Sequence, residues 1–215
     1  MILELPLKPI FCGHWKKSTA SVHNRHIKLF LCGCALFFLP LRIEASEAKF
    51  TDQLITNNAG QITAYARVTN CFTPDMEAAI LAGVPTTFTF LFDFYQERPY
   101  WWDKKMTHRV IKHTIKYDNV KKNFIVSSTN RPQAEADTFQ DFAAAKRAMA
   151  DLNGIVVYPV NSLQQERSYY LKMKAKLDQV RLPLHMEYLF FFVSLWDFET
   201  DWHEQNVTYK NLMTP

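Results

Sequence analysis

Glycine is nearly absent from this chain: there are five in 215 residues. That leaves little room for a glycine-rich loop that cradles phosphate, and no Gly-x-Ser-x-Gly or His-Glu-x-x-His motif occurs either. Cysteine is also scarce. Cys12, Cys32 and Cys34 all lie near the N-terminus, and only Cys71 follows them, so a disulfide framework is excluded for the rest of the chain. Cys71 is expected as a small buried apolar residue, because a reactive thiol needs a basic or helix-N-terminal setting. No His/Cys/Asp spacing fits a zinc site, and no cofactor is expected. No apolar run reaches the roughly 20 residues of a membrane-spanning helix. Charge of one sign is missing too. The formal net charge is +4, but residues 1–45 hold six basic and two acidic residues, which leaves nineteen of each beyond them. The basicity of the whole chain therefore gives no support to nucleic-acid binding.

What is present begins with residues 28–48. Lys28 precedes a thirteen-residue apolar run at 29–41, closed by Pro40 and Arg42 and followed by small residues. This is the layout of a bacterial export signal, too short to span a membrane comfortably. Cleavage fits after Ala45 or after Ala48. Two other readings stay open: an uncleaved inner-membrane anchor, and a lipoprotein with Cys34 lipidated, which the apolar continuation 35–41 argues against. Residues 1–48 are thus expected to be an extension plus signal, and residues 49–215 a single β-rich domain in the periplasm. Residues 1–27 are long for a signal and read as an over-extended start.

Hydrophobic alternation organises that domain. Ile62, Ala64, Ala66 and Val68 share one face of a strand at 61–69, and Phe88, Phe90, Phe92 and Phe94 share one face of a strand at 86–97. Arg109, Ile111, His113, Ile115 and Tyr117 predict a strand at 106–117, with a hairpin mate at 123–128 after the Asp118-Asn119 turn. Tyr169, Leu171, Met173, Ala175 and Leu177 alternate with Lys172, Lys174 and Lys176 within 166–178. Further strands are expected at 155–160 and 196–202, and 188–196 reads as either helix or strand. One helix is predicted after Thr73, with Pro74 at its first position, stopped by Gly83 and Pro85. A second follows a capping-type Thr138–Asp141 start and ends at Asn153-Gly154. The sum is a mainly β (α+β) fold: an antiparallel β-sandwich or curved sheet of six to seven strands with two short helices.

Three groups of residues are candidates for function. Asp197, Glu199 and Asp201 share a strand face and form a weak calcium candidate; the plainer expectation is a solvated face paired with Lys172, Lys174 and Lys176. The second group is the aromatic knot Tyr100-Trp101-Trp102, and the third is Phe190-Phe191-Phe192. Both are expected mainly as core; an apolar-ligand pocket is the functional reading for both, and a bilayer contact the alternative for Phe190-Phe191-Phe192. His108 and His113 are five apart, so a strand sends them to opposite faces. No catalytic residue stands out.

Several of these segments together resemble a bacterial family, domain of unknown function 4390. They are Leu81-Ala-Gly-Val-Pro85, the strand at 88–95, Arg98-Pro-Tyr-Trp-Trp-Asp-Lys-Lys105, Leu182-Pro-Leu184 and Trp196-Asp-Phe-Glu-Thr-Asp-Trp202, spread over residues 50–205. The resemblance implies an exported protein with no assigned activity, in an envelope context that includes sensor kinases. The expected role is a non-enzymatic periplasmic binding or interaction module. Its expected partner is an envelope protein such as a sensor-kinase ectodomain, reached by strand addition at a sheet edge, or a membrane surface. A carrier of lipid or another apolar ligand is the first alternative, and an uncharacterised hydrolase the second.

Overall fold

The computed structural model of the chain describes residues 47–131, 135–178 and 199–213, all within one unit, Ser46–Pro215. The export segment up to residue 46, the stretch 188–196 and the Leu182–Leu184 turn lie outside the described residues. In chain order the elements are β1 (Lys49–Asn58), β2 (Gln61–Thr69), α1 (Pro74–Leu81), β3 (Thr86–Gln96), β4 (Lys104–Asp118), β5 (Asn123–Ser128), β6 (Asp137–Phe139), α2 (Phe142–Ala150), β7 (Asp151–Pro159), β8 (Tyr169–Leu177), β9 (His203–Val207) and α3 (Tyr209–Met213). A 3-10 turn occupies Val160–Ser162.

The strands form two antiparallel sheets, β1-β2-β7 and β6-β5-β4-β3-β8-β9. Neither closes into a barrel, so the mainly β antiparallel reading holds, with two helices longer than two turns among the described residues, as expected. Phe88, Phe90, Phe92 and Phe94 project from β3 into the space between the sheets and are fully buried. From the small sheet, Ile62, Ala64, Ala66 and Val68 of β2 and Leu152, Ile155 and Val157 of β7 meet them in one core. From β8, Leu171, Met173 and Ala175 extend the same surface. Ring packing ties the layers together: Phe94 lies 5.6 Å from Tyr158 of β7, and Phe72, beyond the end of β2, lies 5.1 Å from Phe88.

The helix starts follow local chemistry. The Thr73 hydroxyl accepts the Met76 N–H at 3.2 Å and caps α1. Gly83, in the left-handed region at φ +90, turns the chain out of it. The second helix departs from expectation. Asp141, not Thr138, is its cap, accepting the Ala144 N–H at 2.9 Å, because Thr138 is already paired to Ile125 in β6. It also ends earlier, at Ala150. Asn153-Gly154 sits inside β7, which begins at Asp151. There Arg67 reaches both oxygens of Asp151, at 2.5 and 3.1 Å.

Nine strands are present among the described residues, against six or seven expected. β1 carries no clean alternation: only Phe50 is buried, and a bulge between Thr51 and Leu54, with Asp52 at φ +50, breaks its period. β6 is three residues long. Near the C-terminus the strand begins at His203; of the expected 196–202 strand, residues 196–198 lie outside the described residues, and Glu199 forms a bridge with Lys176.

One titratable group sits inside the core. His113 of β4 is 5% exposed, donates from Nδ1 to the Met149 carbonyl at 2.9 Å, and packs against Phe90. Burial pushes its imidazole below the ordinary value, and the Met149 bond offsets this only in part. The unfolded chain therefore binds this proton first. Stability is complete above about pH 6.5 and is lost as pH falls below it. The expected result is a urea midpoint that drops between pH 7 and 5, with a flatter profile for His113→Gln. Asp93 and Asp178 are held below the usual carboxylate range, so their losses come at lower pH. Separately, Phe92→Ala is expected to cost about 3–5 kcal/mol in equilibrium denaturation.

Candidate functional site

The β3–β4 hairpin runs past the end of the core and carries the aromatic knot at its tip. Residues 97–103 form the connection. Arg98-Pro99 ends β3, since proline has no N–H for the ladder. Tyr100 then takes a left-handed conformation at φ +67, which costs a bulky residue about 1–3 kcal/mol. The loop is nonetheless held in place. The Glu97 N–H donates to the Ser168 carbonyl at 2.9 Å. The Asp103 carboxylate accepts from the Tyr170 hydroxyl at 2.8 Å and from the Arg98 N–H at 3.0 Å. Those two bonds, the hydroxyl first, hold the Asp103 carboxyl below the usual carboxylate range. Burial, and then Asp103, hold the Tyr170 phenol above its own.

On this frame the three rings point into solvent. Trp101 and Trp102 are 74% and 89% exposed and Tyr100 is fully exposed. The core expectation is thus corrected for this knot: it lies beyond the last paired residues, Gln96 and Lys104, where no second layer faces it. The same expectation holds for Phe88, Phe90, Phe92 and Phe94. Phe190, Phe191 and Phe192 lie outside the described residues. A groove runs beside the tip between the 97–103 loop and the 163–168 segment, lined by Arg98, Trp101, Lys104, Gln164 and Arg167. Around the corner Glu97, Glu166, Lys172 and Glu204 line a second, mixed-charge groove.

The outer face of the six-stranded sheet is a ladder of ion pairs. Lys174 meets Glu199 at 2.5 Å and Lys172 meets Glu204 at 3.2 Å. Lys112 meets Asp178 at 2.5 Å, and Thr89 donates to the same carboxylate. The lysine face of β8 therefore pairs with carboxylates of the C-terminal segment, as its alternation suggested. Asp197 lies outside the described residues, Glu199 is engaged by Lys174, and Asp201 is exposed. Among the described residues no group of three His, Cys, Asp or Glu side chains is placed to hold a metal.

Sequence reasoning missed one cluster on this face. Asp93 is buried between Lys105, at 2.7 Å, and the Nδ1 of His108. Burial pulls the Asp93 carboxyl upward, but the hydrogen bonds from Lys105 and His108 outweigh it. Asp93 and His108 are direct cross-strand partners, so the hairpin register was the signal that could have found them. Among the described residues no hydroxyl or thiol bonds to His108. His113 does face the opposite way, into the core. Cys71 is buried, donates to the Val68 carbonyl at 3.6 Å, and has its thiol pushed up to about 12 by burial.

A family model described as "Domain of unknown function (DUF4390)" matches residues 45–206. No curated protein and no solved structure matches the chain.

Two outcomes follow for the site. Trp101→Ala and Trp102→Ala are expected to change unfolding free energy by less than about 0.5 kcal/mol, since neither ring packs on the core. Tyr100→Gly, which removes the left-handed strain, is expected to be neutral or stabilising by up to about 1 kcal/mol; denaturant titration measures both. Cys71 is expected to resist a thiol-specific reagent at pH 8 until denaturant unfolds the chain.

Proposed function

The chain belongs to the DUF4390 family, whose description assigns no activity, and we propose that it is an exported protein that works by binding in the cell envelope, with the Tyr100-Trp101-Trp102 loop as its contact surface. The observation that carries the reading is the combination found at that tip. Three neighbouring aromatic rings stand in water, on a backbone that is strained at Tyr100 and bonded in place through Asp103, Tyr170 and Ser168. Exposed aromatics of this size gain free energy only on contact with something else. Strained, over-determined backbone at such a place supports a functional loop. The envelope setting rests on the export layout of residues 28–48 and on the resemblance already described.

A carrier with its ligand inside the aromatic sheet has less support. The phenylalanines of β3 are filled against protein, with Phe94 stacked on Tyr169 at 5.6 Å and Phe88 edge-on to Phe90 at 6.4 Å. A hydrolase has less support as well. The Asp93–His108 pair is tied to Lys105, and the hydroxyl beside it, that of Tyr95, donates to Asp93 and not to His108.

A photo-crosslinking residue at position 101 tests the proposal in cells, with position 121 in the β4–β5 turn as the control. The expected result is adducts with an envelope component from 101, absent from 121 and lost when Trp102 is also Ala. Equal labelling from both positions, or adducts only with cytoplasmic components, counts against it.

A further inference from the structure

The geometry points to a phospholipid bilayer surface as the component that the aromatic tip engages, with Tyr100, Trp101 and Trp102 seated in the headgroup layer. This deepens the binding reading above and rests on it. Shape is the first argument. The three rings are consecutive at the tip of a hairpin, each at least 74% exposed, so together they make a convex surface. A protein partner can bury all three together only with a pocket that closes around the loop. A fluid interface surrounds a convex tip on every side without such a pocket.

Residue chemistry is the second argument. Tyrosine and tryptophan pair an apolar ring with an O–H or N–H, and they concentrate where hydrocarbon meets water. The purely apolar side chains that fill the core, phenylalanine, valine, leucine and isoleucine, are absent from the tip. Charge is the third. Arg98, Lys104 and Lys105 bracket the rings and Arg167 stands across the groove, all of them exposed. The one carboxylate within 98–105, Asp103, is already taken up by the Tyr170 hydroxyl and the Arg98 N–H. Lys105 is held by Asp93, whereas Arg98, Lys104 and Arg167 have no ion-pair partner within 4 Å among the described residues and can meet lipid phosphate while the rings lie deeper, the arrangement by which basic and aromatic residues share an interface. Glu97 and Glu166 share the neighbouring mixed-charge groove with Arg98 and Arg167, which leaves Lys104 and the three rings as the part of the tip with no carboxylate lining it.

The test uses the full chain with vesicles of phosphatidylcholine alone and with added phosphatidylglycerol, read by co-sedimentation and by quenching of tryptophan fluorescence with brominated lipid. The apolar run at 29–41 is common to every variant, so the comparison isolates the tip. The parent chain is expected to bind and to be quenched. The double variant Trp101→Ala/Trp102→Ala is expected to lose about tenfold or more in partitioning together with most of the brominated-lipid quenching. The pair Arg98→Gln/Lys104→Gln is expected to lose about fivefold per cation on the anionic vesicles and little on the neutral ones. Circular dichroism confirms that the variants fold.

Equal partitioning of the parent and the aromatic variant overturns the inference, as does a parent chain that ignores both vesicles. If it ignores vesicles yet crosslinks through position 101 to an envelope protein, the bilayer is wrong and the binding reading stands. If neither occurs, both fall.

Discussion

The phenylalanine face of β3 is the constraint on which the rest of this structure depends. Within the six-stranded sheet β3 lies between two long partners: each residue from Phe88 to Gln96, Phe92 for example, has its cross-strand partner in β8, and all of these residues are paired with β4 as well. Its side-chain period leaves one choice. Either Phe88, Phe90, Phe92 and Phe94 face the small sheet, or a slip of one residue turns all four to the other side. With the rings inward, Thr89, Asp93 and Tyr95 must face outward, and so must the lysines of β8. The outer face then needs charge partners. It finds them in Asp178, Glu199 and Glu204 for the lysines, and in Lys105 and His108 for Asp93. The buried aromatic column and the exposed ionic ladder are two consequences of one register.

The same strand sets the functional end. Because β3 is clamped along its length, the loop that leaves it cannot swing freely. Tyr170 of β8 lies beside Tyr95 of β3, their rings stacked at 5.1 Å, and its hydroxyl continues to Asp103 in the loop. The outer face of β3 therefore reaches the tip through a continuous set of contacts. The left-handed Tyr100 is tolerated because both sides of the loop are fixed. An aromatic knot on a loose connection would collapse onto the nearest apolar surface, whereas this one is held away from it.

The legible parts of the sequence were those where one periodic signal acted alone. β2, β3, β4 and β8 announced themselves through alternation, β5 as the mate beyond the Asp118-Asn119 turn, and α1 through Thr73 and Pro74. The paired lysine and carboxylate faces also followed from alternation. What stayed hidden depended on long-range partners. β1 is a strand because β2 accepts it across a bulge, and β6 is one because Ile125 and its neighbours pair with it. At 138–141 a capping pattern and a strand competed for the same residues. The strand took Thr138, and the cap fell to Asp141. The aromatic knot was visible as a composition, but its exposure was not, because whether a loop has a second layer above it is a property of the assembled sheets. The Asp93–His108 pair needed only the hairpin register, applied across the turn as well as along each strand.

The direction of the chain separates the tip from the start of β1. Asn58 at the end of β1 pairs with Gln61, Gln61 pairs with Pro159, and Tyr158 packs on Phe94 close to the tip. Lys49, paired with Thr69, is therefore at the other end of the small sheet, a strand of ten residues away, or roughly 30 Å. The start of β1 is thus remote from the aromatic loop, and the bonds that fix the loop, through Asp103, Tyr170 and Ser168, are all made at the loop's own end of the domain.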